Sequence, residues 1–337
     1  MPIDFLHIVE AIDPPAVDAS GKPIFSVVPV TGSTNYYIGK DSESLVCLLI
    51  STAAGETRNV YPTIRLESLD AQFDLKCRVN KQNMAPIEGT FTVIRCRDSD
   101  SEITRYFLSV CELVIRVLGG HPKQAEIANV VNRLAAIFQK IKRPPTRPLL
   151  GLFGELYLIM RSGDAVKTLS SWRSDERSRF DFSTGDVRLE VKVTTSRTRR
   201  HTFSYDQCNP PSGTIAVVAS LQAEEASGGI EVQTIVERIE ARITSKNDLL
   251  LKLHDTIAST LGNGLKESLS RRFDLHLAES SLRFFNLLDV PAIRGQLPNG
   301  VSDVHFCSDL SALPDQSVES LVDLDPEFWD LLPHGEH

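Results

Sequence analysis

The sequence predicts an α/β protein of the α+β type: a mixed sheet flanked by helices, preceded by a β-rich N-terminal domain. Three observations carry that expectation. The segment "QFDLKCRV" alternates apolar Phe73, Leu75, Cys77 and Val79 with Asp74, Lys76 and Arg78, the period of a half-buried strand. The segment "LLGLFGELYLIM" has almost no polar face, as a buried helix would. After it come "RFDFSTGDVRLEVKVTT" and "TIAVVASL", a hairpin and a continuous apolar strand of the kind buried on both faces. A chain of 337 residues allows roughly two domains.

The elements follow in order. Up to about residue 110, "IFSVVPV", "LVCLLI", "VYPTIRL" and "GTFTVIRC" read as strands separated by turn residues. An apolar segment from Phe107 to Leu118 opens the helical part and ends at Gly119-Gly120. A helix follows, with Pro122 in its first turn and Ile127, Val130, Val131, Leu134, Phe138 and Ile141 on one face. The prolines of "KRPPTRP", Lys142 to Pro148, stop it and mark the domain boundary. The apolar helix is expected to start near Arg147, with Thr146 as its cap, and to close at Gly163. In the hairpin, Val187, Leu189, Val191 and Val193 give one oily face, and Arg188, Glu190 and Lys192 lie between them. A loop "SRTRRHTFSYDQCNPPSG" leads to "TIAVVASL". Two amphipathic helices follow, the first through Val232, Ile235, Val236, Ile239 and Ile243. The second runs through Leu249, Leu250, Leu253, Ile257 and Leu261 to Gly262. From Phe273 to about Ser308 the chain reads as extended, and the acidic end as loosely held.

Composition excludes several classes. The six cysteines, Cys47, Cys77, Cys96, Cys111, Cys208 and Cys307, form no CxxC pair and no zinc-finger spacing with histidine. They read as reduced thiols of a cytoplasmic protein. The acidic N-terminus lacks the basic start of a signal peptide, and "LVCLLI" is too short to span a bilayer, so no membrane partner is expected. A net charge of −8 argues against a simple nucleic-acid sponge. The charge is unevenly spread, however: residues 140–200 carry +7 and the remainder −15, and beyond Arg294 there are 9 acids and no Lys or Arg. A basic middle in an acidic chain can serve as the footprint of a polyanion.

Chemistry concentrates in the same middle. Glu155 is the one charge within the apolar helix, and a buried carboxylate is costly unless it is paired or holds a cation. The alternative role is a bridge to a structural arginine. Gly151 and Gly154 flank it and would let a backbone or a ligand approach. Asp181 stands nine positions before Glu190, across the turn "STGD". Residues two apart on a strand share a face, so Glu190 and Lys192 project together, and the paired strand brings Asp181 alongside. Close carboxylates repel unless a cation or proton intervenes. Mg²⁺ suits one or two carboxylates with waters and a phosphate, while a lysine supplies a compact positive charge. The plain alternative is an exposed hairpin with a Glu/Lys face. Trp172 is either a base-stacking residue or a packing anchor. Cys208 with His201 and Asp206 lacks anything that would activate a thiolate, and "LGNG" at Leu261 lacks the Lys-Ser/Thr of a P-loop.

Together, the lone helix Glu, the Asp before a turn, the Glu-x-Lys strand, the basic loop and the buried strand resemble the PD-(D/E)XK nuclease superfamily, with its restriction-endonuclease-like fold. "GLFGELYLI", "FDF", "LEVKVTT" and "HTFSYDQ" are similar to blocks of a bacterial family known only as PD-(D/E)XK motif proteins. The resemblance covers about Leu149 to Leu221. It implies that Asp181 and Glu190 are metal ligands, that Lys192 is the catalytic lysine, and that Glu155 completes the metal site as a third ligand. Gln207 matches an accessory polar position, and Phe180 stands where the name of the motif expects proline. The implied activity is Mg²⁺-dependent endonucleolytic hydrolysis of DNA, with Mn²⁺ as substitute, leaving 5′-phosphate and 3′-hydroxyl ends. Its setting would be a bacterial restriction or phage-defence system. Expected partners are DNA, a second copy of the chain, and an ATPase or other defence-system subunit. Arg197, Arg199, Arg200, His201 and Gln207 are the candidate nucleic-acid contacts. The rival readings are a catalytically silent DNA-binding or scaffold subunit and an RNA-directed hydrolase. The expected segments are a β-rich domain at 1–120, a helix and Pro-rich linker at 121–148, a nuclease-like domain at 149–310 and an acidic tail at 311–337.

Overall fold

The computed structural model describes residues 5–16, 22–51, 60–81, 85–175, 178–243 and 246–334. Glu176 and Arg177 of the basic stretch and the last three residues of the acidic tail lie outside them. The chain forms two compact units, Met1–Lys142 and Arg143–His337. The class is α+β, with helices and mixed sheets in one chain.

The first unit opens with a short helix α1 (Phe5–Glu10) and strands β1 (Ile24–Pro29), β2 (Tyr36–Asp41) and β3 (Val46–Ser51). It continues through β4 (Ile64–Arg65), β5 (Leu69–Lys81) and β6 (Ile87–Cys96) to helices α2 (Ser101–Leu118) and α3 (Gln124–Lys140). The strand order β1-β2-β3-β6-β5 closes on itself through a parallel β1–β5 pairing, giving a five-stranded barrel with β4 on the remaining edge of β5. Phe25, Val27, Tyr37, Leu49, Val79, Phe91 and Val93 fill part of its core. Strand β2, "YYIGKD", has no clean alternation and escapes sequence reading. It fits because Gly39 lies where a Cβ would strike the backbone of Ser26 and Val27. The expected alternation of "QFDLKCRV" breaks at a register shift between Gln72 and Leu75, with Asp74 at φ 52°, a left-handed conformation that aspartate tolerates. Phe73 is therefore only half-buried. "VYPTIRL" pairs only over Ile64–Arg65.

Helix α2 starts where the Asp100 side chain accepts from the Glu102 and Ile103 N–H groups, and it stops at Gly119 with φ 66°. Helix α3 begins at Gln124, so Pro122 precedes its cap and does not lie in its first turn. It packs with α2 and the barrel inside the first unit.

The second unit is built on a four-stranded sheet. Its elements begin with α4 (Leu149–Arg161), α5 (Ala165–Ser171), β7 (Phe182–Thr184) and β8 (Val187–Thr194). Then come β9 (Arg200–Ser204), the turn of helix α6 (Tyr205–Cys208), β10 (Ile215–Gln222), β11 (Glu225–Glu231), α7 (Val232–Arg242) and α8 (Asn247–Leu261). The chain closes with α9 (Leu265–Leu269), β12 (Arg272–Phe273), α10 (Leu275–Ser281), β13 (Arg283–Asn286), β14 (His305–Asp309), α11 (Val318–Leu324) and α12 (Glu327–Leu331). The sheet order is β13-β10-β8-β7, with β8 and β10 parallel and both edge strands antiparallel. Residues of β8 and β10 paired in register share a face. Leu189, Val191 and Val193 therefore lie with Val217, Ala219 and Leu221, beneath α4. Glu190 and Lys192 share the opposite face with Val218 and Ser220, over a core of Phe180, Phe203, Ala216, Phe285 and Leu287.

Several expectations are corrected here. Helix α4 begins at Leu149 with Pro148 before it. Thr146 does not cap α4: its N–H and hydroxyl donate to the Thr260 and Ser259 carbonyls near the end of α8. The stretch expected as a loop after Arg197 is instead strand β9 and the turn α6, paired with β14. The region 273–308 contains helix α10 as well as short strands. The acidic end is not loose. Leu321, Phe328, Leu331 and Leu332 are buried, and the Gly163 and Asp164 N–H groups donate to the Leu332 and Asp330 carbonyls. Among the described residues no helix is long and apolar enough to cross a membrane.

Candidate active site

Glu155 is placed by the close seat of α4 on the sheet. A Cβ on Gly154 would collide with Val193 Cγ2 and meet Val191 Cγ1 at 3.0 Å, so only glycine lets the helix sit this near. Gly151, by contrast, faces open space. The Glu155 side chain is buried and does not stand alone. Oε2 accepts from Trp172 Nε1 at 2.6 Å and from Arg173 Nε at 3.0 Å, and Oε1 accepts from Arg173 Nη2 at 3.4 Å. The bridge to a structural arginine is thus present, and Trp172 is a packing anchor that also donates to this acid. Arg173 in turn donates to Thr260 Oγ1 and stands 3.8 Å from Asp181 Oδ1.

Asp181 immediately precedes the three-residue strand β7. That strand pairs with β8 only as far as Leu189, and beyond it the Asp181 carboxylate takes over as acceptor, receiving the Val191 N–H on Oδ2 at 2.9 Å. The side chain is thereby fixed beside β8. Its other oxygen, Oδ1, accepts from Arg147 Nη1 at 3.1 Å, and the same nitrogen stands 3.9 Å from Glu155 Oε1.

Glu190 projects from the middle of β8. Oε1 accepts from Lys192 Nζ and from Gln207 Nε2, both at 2.7 Å. Oε2 is buried with no hydrogen-bond partner. Lys192 also lies over the Phe203 ring, 5.0 Å from its centroid, which holds the ammonium at the cleft side of the strand. Gln207 is oriented by a capping box: its own carbonyl accepts from the Ser204 N–H, leaving its amide aimed at Glu190.

The electrostatics follow from this crowding. Burial first, and then the negative charge of Asp181, push the Glu155 carboxyl up to about 7 against the pull of Arg173 and Trp172. Burial and Asp181 likewise push Glu190 up to about 7, opposed by Lys192 and Arg147. Three carboxylates face three cations. Arg173 is buried, Lys192 is mostly so, and Arg147 is the exposed member with 31% of its side chain accessible. Among the described residues no three His, Cys, Asp or Glu side chains stand close enough together to hold a metal. The donor set nonetheless fits a small divalent ion at Asp181 and Glu190: two oxygen ligands on neighbouring backbone and one buried carboxylate oxygen without a partner. Both Glu155 oxygens are held by buried partners, Trp172 and Arg173, whereas Asp181 Oδ1 is met by the part-exposed Arg147.

Glu190, Lys192, Gln207 and Arg147 line an open cleft of about 750 Å³, with Arg179, Thr202, Ser204, Asp206, Asp303 and His305. Of the expected nucleic-acid contacts, Gln207 lies in this cleft. Arg197 and Arg200 are exposed but do not line it. Arg199 and His201 turn their polar atoms to the protein itself. Arg199 donates to the Ser220 carbonyl, to Ser220 Oγ and to the Ser281 carbonyl. His201 is buried with Nε2 on Ser220 Oγ at 2.8 Å, and burial, reinforced by Lys192 and Arg199, lowers it to about 4, so it is neutral at neutral pH. Both side chains clamp Ser220, the ladder partner of Lys192. Cys208 is buried and its thiol is pushed up, which removes it as a nucleophile.

Sequence reading missed Arg147 and Arg173. Their signal is faint: one arginine between the prolines of "PPTRP" and one behind the tryptophan of "SSWRSD".

An aspartate ahead of a short strand and Glu-x-Lys on the neighbouring strand follow one another in the order that the name PD-(D/E)XK spells. The family described as "Putative PD-(D/E)XK family member, (DUF4420)" matches residues 15–311, and the chain belongs to it. The match spans the barrel as well as the mixed sheet, so both units are part of the family's architecture. No curated protein and no solved structure matches the chain.

Proposed function

We propose that this protein hydrolyses phosphodiester bonds of DNA with Mg²⁺, or Mn²⁺ in its place, at Asp181 and Glu190. The observation that carries the reading is Glu190 paired with Lys192 and keeping one buried oxygen without a partner, with Asp181 fixed on the adjoining Val191 N–H and its charge reaching Glu190. Bound there, the ion would lower the pKa of a water and neutralise charge developing on the phosphate. The chain's own residues do the rest. Asp181 and Glu190 hold the ion, the first fixed by the Val191 N–H and the second by Gln207. Lys192 offers a positive charge to the phosphate from the cleft side. Glu155 acts through Arg173 to fix the position of Asp181. A double-strand break would call for two copies of the chain, and membership in a PD-(D/E)XK family supports a setting in bacterial restriction or phage defence, with an ATPase or similar subunit as partner.

The experiment is incubation of plasmid DNA and Mg²⁺ with the purified protein, Glu190→Ala and Lys192→Ala. Cutting by the unaltered protein alone is the expected result, and equal cutting by all three rejects the reading. An RNA competitor of matched length should not suppress cutting.

A second reading, a DNA-binding or scaffold subunit without chemistry, is favoured by one observation: the three acids are already balanced by Arg147, Arg173 and Lys192. Calorimetric titration with Mn²⁺ separates the two, because a retired site takes up no ion.

A further inference from the structure

The balance of charges poses a question of its own. A divalent cation entering a cluster in which three acids already face three cations adds positive charge at short range, and the withdrawal of one resident cation relieves it. Arg173 cannot be that cation. It is buried, it holds Glu155 through two nitrogens and Thr260 through a third contact, and its own N–H donates to the Asp181 carbonyl. Lys192 is held on the strand beside Glu190 and above Phe203. Arg147 differs from both. Its Nη1 lies within 3.1 Å of Asp181 and 3.9 Å of Glu155, and its charge also reaches Glu190, yet about a third of its side chain is exposed and it lines the cleft.

The backbone of Arg147 is well anchored. Thr146 donates to the Thr260 and Ser259 carbonyls, the Asn263 N–H donates to the Arg143 carbonyl, and Pro144, Pro145 and Pro148 restrict the segment. A change in Arg147 is therefore a swing of the side chain about a fixed root, from the carboxylates into the cleft. A guanidinium presents a planar fork that matches a phosphate oxygen pair.

We infer that Arg147 is the resident counter-ion of the metal-free site, displaced by the divalent ion and thereby delivered to the phosphate of the bound nucleic acid. This inference rests on the metal-dependent reading above and deepens it. Metal and substrate would be coupled through one side chain: the ion releases the arginine, and the arginine then grips the strand. In the absence of the ion the acids remain paired, and the cleft lacks one of its phosphate contacts.

The test uses the full chain and its Arg147→Gln and Arg147→Lys variants. Mn²⁺ affinity is measured by calorimetry without DNA, and binding of a fluorescent duplex is measured by anisotropy with and without Ca²⁺. Arg147→Gln should bind Mn²⁺ about tenfold more tightly, because no counter-ion has to leave, a change on the scale of one partly screened charge contact. The gain in duplex affinity on adding Ca²⁺ should shrink about fivefold in the same variant, the size expected for one lost charge-assisted phosphate contact. Arg147→Lys, which keeps the charge but lacks the planar fork, should fall between, and it decides the matter if the glutamine variant does not fold. Unchanged or weaker Mn²⁺ binding in a folded variant overturns the inference and leaves the metal-dependent reading standing. Absence of Mn²⁺ binding in the unaltered protein and both variants overturns the two together.

Discussion

The barrel and the mixed sheet each bury a knot of charges, and the two knots are built differently. In the barrel, Arg95 of β6 stands in register with Asp70 of β5. It bonds Asp70 Oδ2 at 2.7 Å, Gln72 Oε1 at 3.0 Å and Asp41 Oδ2 at 3.1 Å. Every member comes from one continuous sheet, and the strand ladder that fixes the fold also fixes the charges. In the second unit the acids come from a helix, a loop and a strand, and the cations from a proline-rich segment, the end of a short helix and the same strand. Two of those acids are pushed up to about 7, so the arrangement is uncomfortable when fully ionised. The barrel knot also borders a cleft, of about 300 Å³, and leaves Asp70 Oδ1 without a partner, so the contrast lies in the elements that supply the charges and in the raised acids of the second unit. Charges assembled from several elements around a cleft, at an energetic cost, mark a place shaped for something other than stability.

The largest expected contrast is catalytic. Asp181→Ala or Lys192→Ala should lower the DNA cleavage rate by a factor on the order of 10²–10³ while thermal unfolding stays cooperative. Arg95→Met should do the reverse, costing on the order of 3–5 kcal/mol of stability by stranding two buried acids, with the cleavage rate per folded molecule little changed. Similar rate losses for Arg95→Met and Lys192→Ala would erase the distinction drawn between the knots.

Next in size is the seat of α4. Gly154→Ala forces a methyl group into Val193 and Val191, both stiff at χ1, and should destabilise by about 1–3 kcal/mol. It should also lower cleavage, since Glu155 moves with the helix. Urea denaturation and a rate assay check both parts, and a stable, fully active variant would show that the close seat is dispensable.

The pH dependence is smaller. Glu155 and Glu190 keep their protons to higher pH in the folded chain than their ordinary value of 4.5 allows in the unfolded one. The folded state then binds more protons than the unfolded state between about 4.5 and about 7. Stability must fall as pH rises through that window and level off above it, by up to roughly 3 kcal/mol for each acid. Glu190→Gln should flatten part of the decline, and Mg²⁺ should restore stability above pH 7 by mass action. Melting curves from pH 4.5 to 8 would reveal a wild-type profile indistinguishable from that of Glu190→Gln if the account of these acids is mistaken.

Gly151→Ala is the smallest change and has the opposite sign to its neighbour. With nothing near its Cβ position, the substitution should stabilise α4 by about 0.5–1 kcal/mol through helix propensity alone. Loss of stability would mean that this end of α4 is more crowded than described.

Much of the second unit was legible because its signals are local. Apolar alternation along β8 and the all-round apolar surface of α4 identify a buried helix on a sheet, and Glu155, Asp181, Glu190 and Lys192 stand out against them. What stayed hidden depends on packing between distant segments. Nothing near Arg147 in sequence announces Asp181, and Trp172 meets Glu155 only once α5 has folded back. The "RTRRH" stretch misled for the same reason. Its charges suggest a solvated loop, but pairing with β14 turns His201 inward, and Arg199 is spent on Ser220 and Ser281. In the barrel, β2 hid behind Gly39, whose value lies in the backbone it lets approach, and the bulge at Asp74 broke an alternation that looked regular on paper. The acidic end looked loose by charge, yet its few apolar residues, Leu321, Phe328 and Leu331, are the ones that dock.

The central claim is that Asp181 and Glu190 share one divalent ion. Anomalous difference density from a crystal soaked in Mn²⁺ tests it most directly. A single strong peak is expected within coordinating distance of both carboxylates, with the Arg147 guanidinium turned away into the cleft. A peak elsewhere in the chain, or well-ordered density for an Arg147–Asp181 pair with no peak beside it at saturating Mn²⁺, would contradict it.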